Sequence, residues 1–303
     1  MESAETNGAH YSGLRPQKGW PQRNYKFFRH RIVPGMFRRR EGRSQPPQLT
    51  PPGLGQVRVT WIGHAAFFIQ YADHSMIIDP NWAKWHGPVK RQREPGLDLR
   101  QIPELDFVLV THAHFDHLHK PSLKVLQSSK GIVVPKGSRQ LVERLGFPGV
   151  HEMTVWDDLD YDGIRITHTP SHHWGARYLH DTHRDYGGYL IDVGGKSVFH
   201  CGDSAWFEGF SEIRKRCEPI DVALMPIGAY DAPSGRDVHM NPEEAVRAFA
   251  ELEAKVLIPM HYGTFPLGNE PLGEPVERLL QEADRLGISK HVLIPEEGVG
   301  IDW

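Results

Sequence analysis

The pattern of apolar and polar positions divides this chain into an irregular start and a body of short apolar runs. Residues 1–50 carry no sustained period, and QPPQLTPPG over 45–53 reads as a linker that stops regular structure. The body opens on QVRVTWIG (56–63) and AAFFIQYADHSMIIDP (65–80), which predict strands separated by turns at 63–64 and 72–73. A loop rich in Trp, Pro and basic residues follows over 81–96, then a wholly apolar strand over 107–110. Beyond it, strands are predicted over 132–134, 163–168, 188–193, 197–200, 222–225, 256–260 and 291–294. Helices are predicted over 138–145, 211–217, 242–252 and 275–286. The third helix has a defined start: Asn241 as N-cap, Pro242 in the first turn, and Glu243 and Glu244 complementing the helix dipole. Short strands interleaved with amphipathic helices imply an α/β domain over 51–303, two sheets covered by helices, preceded by an arm over 1–50.

Charge sharpens that division. Ten of the 35 Lys and Arg residues fall within 11–50 against the single acid Glu41, which leaves 51–303 with 25 basic and 35 acidic residues, a net of about −10. A basic, aromatic-containing arm on an acidic body is suited to an anionic membrane surface or another polyanion, and its plainer reading is a solvated, partly disordered leader. No apolar run reaches the roughly 20 residues that cross a bilayer. MESAETNGAHYSG lacks the order of a secretory signal, and two cysteines, Cys201 and Cys217, form no disulfide framework. A cytoplasmic location, with peripheral membrane contact as the arm's candidate role, is expected.

The chain holds 19 histidines, and their placement carries the chemistry. THAHFDHLH (111–119) directly follows the apolar strand and delivers His112, His114, Asp116 and His117 within six residues. On extended backbone His112 and His114 point the same way and can share one ion, while Asp116 and His117 lie in the next turn, free to face a second. Imidazole and carboxylate are ligands that zinc prefers. Three further strand ends carry ligand types: His172 and His173 in HTPSHHWG, Asp203 in HCGD after the turn-permitting Gly202, and His261 in PMHYGTF. The set divides into His112, His114 and one of the 172–173 pair on one ion, and Asp116, His117 and His261 on the other, with Asp203 as bridge.

THAHFDHLH resembles the HxHxDH signature of the metallo-β-lactamase superfamily. WIGHAAFFIQ, IIDP, TPSHHW, GDSAWF, PIGAY, HMNPEEAV and MHYGTFPLGNEPL extend the resemblance over roughly 57–296, closest to the N-acylphosphatidylethanolamine-hydrolysing phospholipase D-like branch. The resemblance implies a single-domain αββα sandwich with two zinc ions at one edge between the sheets. In that branch the ligand is the histidine before Trp, hence His173; a more distant pattern, HTPGH, laid over HTPSH selects His172 instead. It also brings His239 into the active site. Between PIGAY and HMNPEE the chain reads DAPSGRDV, where the branch has bulky aromatic and apolar residues, so the substrate pocket departs from the branch.

The expected activity is therefore hydrolysis of a phosphodiester by attack of a hydroxide bridging two zinc ions about 3.5–4 Å apart. Asp116 sits at the reacting centre and His239 steadies the transition state or protonates the leaving group. His and Asp ligands also accept other divalent transition metals. Competing readings are a zinc hydrolase of a small carboxylic ester, lactone or amide, a nuclease, and an inactive binding protein. The expected partner is a small-molecule or phospholipid substrate, with no nucleic acid. Asp79, His64 and Tyr230 divide evenly between structural roles and the site. Cys201 reads as a packed core residue, and Trp82, Trp85 and Trp174 as an apolar mouth or as packing.

Overall fold

Strands buried on both faces need a layer on each side, and this requirement sets the architecture. The structure, a computed structural model, describes residues 18–178, 181, 183–217 and 219–303. In chain order the elements are α1 (Trp20–Phe27), a π-helical turn (Phe28–Ile32) and α2 (Val33–Phe37), then β1 (Val57–Gly63), β2 (Ala66–Tyr71) and β3 (His74–Ile78). A small hairpin follows, β4 (Trp85–His86) and β5 (Val89–Lys90), then β6 (Leu105–Leu109), α3 (Lys120–Leu123), β7 (Ser128–Pro135), α4 (Arg139–Val142), β8 (Val150–Met153), β9 (Asp158–Tyr161) and β10 (Ile164–Thr169). The chain closes with β11 (Gly188–Val193), β12 (Lys196–His200), α5 (Phe210–Cys217), β13 (Val222–Pro226), α6 (Pro242–Leu252), β14 (Val256–Met260), α7 (Glu274–Arg285) and β15 (Gly300–Asp302).

Seven strands form one sheet in the order β15-β1-β2-β3-β6-β7-β8, and six form the second in the order β14-β13-β12-β11-β10-β9. The two-residue period sorts the first sheet's side chains. Phe67 and Ile69, Met76 and Ile78, and Phe107 and Leu109 join the central core with Ile166, Ile191 and Val198 of the second sheet. The alternate residues Phe68, Ile77, Val108 and Ile132 pack outward under Leu118, Leu123 and Val142. Residues of α5, α6 and α7 extend the central core beyond the second sheet. This is a single-domain αββα sandwich, as the sequence predicts.

Helix α6 matches its expected bounds, and its start is a full capping box: Glu244 N donates to Asn241 Oδ1 at 2.9 Å and Asn241 N to Glu244 Oε2 at 3.0 Å. Asn241→Ala is expected to cost about 1 kcal/mol, seen as a fall of roughly 2–4 °C in the melting temperature.

Two expectations fail. Residues 291–294 form no strand. A 3-10 turn over Ser289–His291 leads to a single bridge between Val292 and Leu257, and β15 instead pairs with β1, where Arg58 grips Asp302 with bonds of 2.6 and 2.8 Å. Residues 20–37, where no regular structure is expected, are helical and held to the body. Arg23 donates to Pro233 O and Ser234 O at 3.2 Å each, Gln92 Nε2 to Gly35 O at 3.1 Å, and Lys90 Nζ to Met36 O at 3.0 Å. Residues 1–17 of the arm lie outside the described residues.

Candidate metal centre

The ligand-type residues lie on loops that leave strand ends or enter a helix. β6 is apolar to its end at Leu109, and the chain then runs through 111–119; β10 leads to His173, β12 to Asp203 and β14 to His261, while His239 precedes α6. Sharp exits make this possible. His64, Asp79 and His261 adopt left-handed backbone with φ of 58°, 48° and 61°, a region that costs an L-residue about 1–2 kcal/mol and that tertiary packing here enforces. Gly202, at φ 64°, could carry no side chain, because a Cβ would run into Gly187 O.

The side chains converge in two groups. In the first, His112 Nε2 lies 2.9 Å from His114 Nδ1, which lies 3.2 Å from His173 Nε2, and Asp203 Oδ2 stands 3.8 Å from both Nε2 atoms. In the second, Asp116 Oδ2 is 3.8 Å from His117 Nε2, 3.7 Å from His261 Nε2 and 2.9 Å from His64 Nε2. Asp203 Oδ2 joins the groups, at 3.2 Å from His117 Nε2 and 3.1 Å from His261 Nε2, with His239 Nδ1 3.8 Å away. Each set could hold a metal ion.

A test of fit lies in the polar atoms themselves. Three imidazole nitrogens around one tetrahedral zinc would sit about 3.3 Å apart, given bonds of about 2.0–2.1 Å. The first group's 2.9 and 3.2 Å are close to that. His117 Nε2, His261 Nε2 and Asp203 Oδ1 are buried without a hydrogen-bond partner among the described residues. Orphaned nitrogens facing a common point are costly unless a cation takes their lone pairs. The residues fit a metal.

Tautomers are fixed from behind. His117 Nδ1 lies 2.6 Å from Asp79 Oδ2, His173 Nδ1 donates to Val238 O at 3.0 Å, and His112 Nδ1 faces Thr111 Oγ1 at 3.0 Å, so in each ring Nε2 is the free atom. Burial, reinforced by neighbouring imidazoles, holds His112 and His173 far below the usual histidine range, and burial with the neighbouring imidazoles outweighs the nearby carboxylates to bring His114 and His239 down to about 4. Burial also pulls His117 and His261 down, but there the carboxylates win: Asp203, Asp79 and Asp116 push His117 well up, and Asp203 with Asp116 push His261 up to about 9. Metal uptake at neutral pH must displace those protons, so affinity falls as pH falls.

Against this geometry the comparisons with known proteins are direct. Residues 74–262 match the family model described as a beta-lactamase superfamily domain. The chain belongs to the metallo-β-lactamase superfamily. It is 30% identical to N-acyl-phosphatidylethanolamine-hydrolyzing phospholipase D 1 of Caenorhabditis elegans, over 74% of this chain and 69% of that one. It is 33% identical to a metal-dependent hydrolase of Myxococcus xanthus, over 80% and 82%. Among solved structures a metallo hydrolase of Ignicoccus hospitalis superposes with a TM-score of 0.63 at 25% identity, covering 82% of this chain and 98% of that one. The chain is a metal-dependent hydrolase of this superfamily.

The metallo-β-lactamase signature residues His112, His114, Asp116 and His117, with Asp203 and His261, are brought together in these two groups. Of the 172–173 pair it is His173 that enters the group; His172 stands outside, its backbone N bonded to Ser204 Oγ at 2.9 Å and its ring 6.3 Å from Phe207. His239 lies beside Asp203 and His261. His64 is fully enclosed against Asp116, and Asp79 supports His117. Trp174 meets His114 edge-on at 4.4 Å, Trp82 packs in the outer core, Trp85 is exposed, and Cys201 is core. Tyr230 is tied to Glu274 at 2.7 Å.

Sequence reasoning passed over Arg177. Its Nη1 donates to Ala113 O at 2.9 Å and Leu118 O at 2.7 Å, which clamps both ends of the HxHxDH turn. Asn81, whose Nδ2 donates to Asp116 O at 2.6 Å, was likewise silent, because donors to backbone carbonyls leave no pattern in a sequence.

Proposed function

We propose that this chain is a binuclear zinc hydrolase that cleaves phosphodiesters in the manner of a phospholipase D. The observation that carries the proposal is the sharing of one carboxylate oxygen, Asp203 Oδ2, between two groups of buried imidazoles. His112, His114 and His173 would hold one ion, Asp116, His117 and His261 the other, and Asp203 both. Two such ions supply a water acidic enough to act as nucleophile near neutral pH, and Lewis acidity toward the phosphoryl oxygens.

The chain's own residues do the rest. Asp116, kept ionised by the surrounding imidazoles against its burial and held by His64, is placed to accept the hydrogen bond of the attacking water and so orient it. His239 is neutral at pH 7 and turns an unpartnered nitrogen toward the centre, where it can donate to charge that builds on the phosphoryl oxygen. Support for a phosphodiester comes from the similarity to the C. elegans phospholipase D. The segment 231–238, which leads into His239, differs from that branch and is where the choice of substrate is expected to lie.

The test is metal content of the purified chain together with turnover of bis(p-nitrophenyl) phosphate and p-nitrophenyl acetate. Close to two zinc ions per chain, with diester cleavage abolished by a chelator and restored by zinc, is the expected result. Cleavage of the acetate alone would transfer the activity to carboxylic esters. Fewer than one ion per chain after zinc loading would overturn the binuclear reading.

A further inference from the structure

The folded part of the arm has a surface that its packing does not explain. Trp20, Tyr25, Phe28 and Phe37 are all exposed, Tyr25 at 63% and Phe37 at 85%, although Ile32 between them is buried. Lys26 and Arg29 lie among these rings and Arg39 and Arg43 follow Phe37, and none of the four forms an ion pair among the described residues. A segment that served only to cover the body would turn its rings inward. Large rings and unpaired cations presented together are the chemistry of a segment that lies in the headgroup region of a bilayer.

The arm's place in the fold adds direction. On one side Arg23 grips the carbonyls of Pro233 and Ser234, in the segment that supplies Val238 O to His173 and leads into His239. On the other, Gln92 Nε2 donates to Gly35 O while Gln92 N donates to Thr264 O at 2.8 Å, three residues beyond His261. The arm therefore brackets two of the loops that build the metal centre. The body's net charge of about −10 resists approach to an anionic surface, whereas the arm is drawn to it, so the encounter has one favoured orientation.

We propose that residues 20–43 form a docking surface for an anionic phospholipid bilayer, which sets the loops around the metal centre against the membrane. Duplex nucleic acid would satisfy the cations but has no use for four exposed rings, so the bilayer is the better fit. The inference rests on the phosphodiesterase reading only for what the surface would deliver.

The experiment is flotation of the full 303-residue chain with vesicles of phosphatidylcholine alone or with about a third phosphatidylglycerol. Binding to the anionic vesicles is expected to exceed binding to neutral ones by at least about tenfold, and replacing Lys26, Arg29, Arg39 and Arg43 together by Ala should remove that preference. The variant Trp20→Ser, Phe28→Ser, Phe37→Ser should still bind at low ionic strength but release in about 0.5 M salt, where the unaltered chain remains bound. Melting curves establish that both variants fold. A chain that floats with neither vesicle, variants that float like the original, or displacement of the chain from vesicles by duplex DNA at equal phosphate would each overturn the proposal. Flotation reads no turnover, so failure to bind and failure to cleave a diester are separate results.

Discussion

Asp203→Ala is expected to lower diester turnover by about a thousandfold or more while the chain remains folded. Its Oδ2 lies within 3.8 Å of nitrogens from His112, His117, His173, His239 and His261, so it is the single anion that all five imidazoles share. Without it the second group keeps only one carboxylate, Asp116, and the first keeps none. His261 shows the electrostatic side of the loss, since Asp203 heads the contributions that lift its pKa to about 9. Truncation leaves a small void, so Asp203→Asn separates charge from shape: it fills the space but supplies no anion and is expected to lose nearly as much activity. Zinc per chain, measured on both variants beside their melting curves, distinguishes a lost ion from a lost fold. Turnover within about tenfold of the original in a folded Asp203→Ala would mean that the two groups do not act through a shared carboxylate.

What was legible in the sequence followed a physical pattern. The HxHxDH turn could be read because its ligands are local and follow a strand whose apolar run is unmistakable. His173, Asp203 and His261 could be read because each ends a buried strand, where a polar residue needs a reason. His64 and Asp79 stayed ambiguous, since their roles depend on left-handed turns that bring them onto Asp116 and His117, 52 and 38 residues away. The helical residues 20–37 were missed for a different reason. They are tied down by Arg23, Gln92 and Lys90 donating to backbone carbonyls, not by an apolar stripe, so no period marks them. β9 reads DLDY and is mostly exposed, and β15 is three residues long, so neither carries a hydrophobic signal. The expected strand over 291–294 is reduced to one parallel bridge beside Leu257 at the edge of the second sheet, with Leu293 N donating to Leu257 O at 2.9 Å, a pairing too short to make a strand.

Asp79→Asn tests whether the carboxylate behind the centre matters as much as those within it. Asp79 is completely buried and accepts from Thr111 N and Thr111 Oγ1 at 2.7 Å each, as well as from His117 Nδ1 at 2.6 Å. Thr111 Oγ1 has already given its proton to Asp79, so it is an acceptor toward His112 Nδ1, 3.0 Å away. One carboxylate thus sets the tautomer of a histidine in each group and turns both Nε2 lone pairs inward. An amide cannot accept all three bonds, and its NH2 facing His117 would favour the tautomer with hydrogen on Nε2, where the metal should bind. Asn tolerates the left-handed backbone at this position, φ 48°, so the substitution adds little strain and the loss reports the tautomer. Zinc affinity, measured by competition with a chromophoric chelator, is expected to fall about 10–100-fold, with turnover partly recovered at saturating zinc. Unchanged affinity in a folded Asp79→Asn would show that the two imidazoles are oriented by their packing alone. Recovery at high zinc would separate Asp79 from Asp203, because a residue that only orients ligands can be compensated by mass action, whereas a carboxylate shared between two ions, the role proposed for Asp203, could not be.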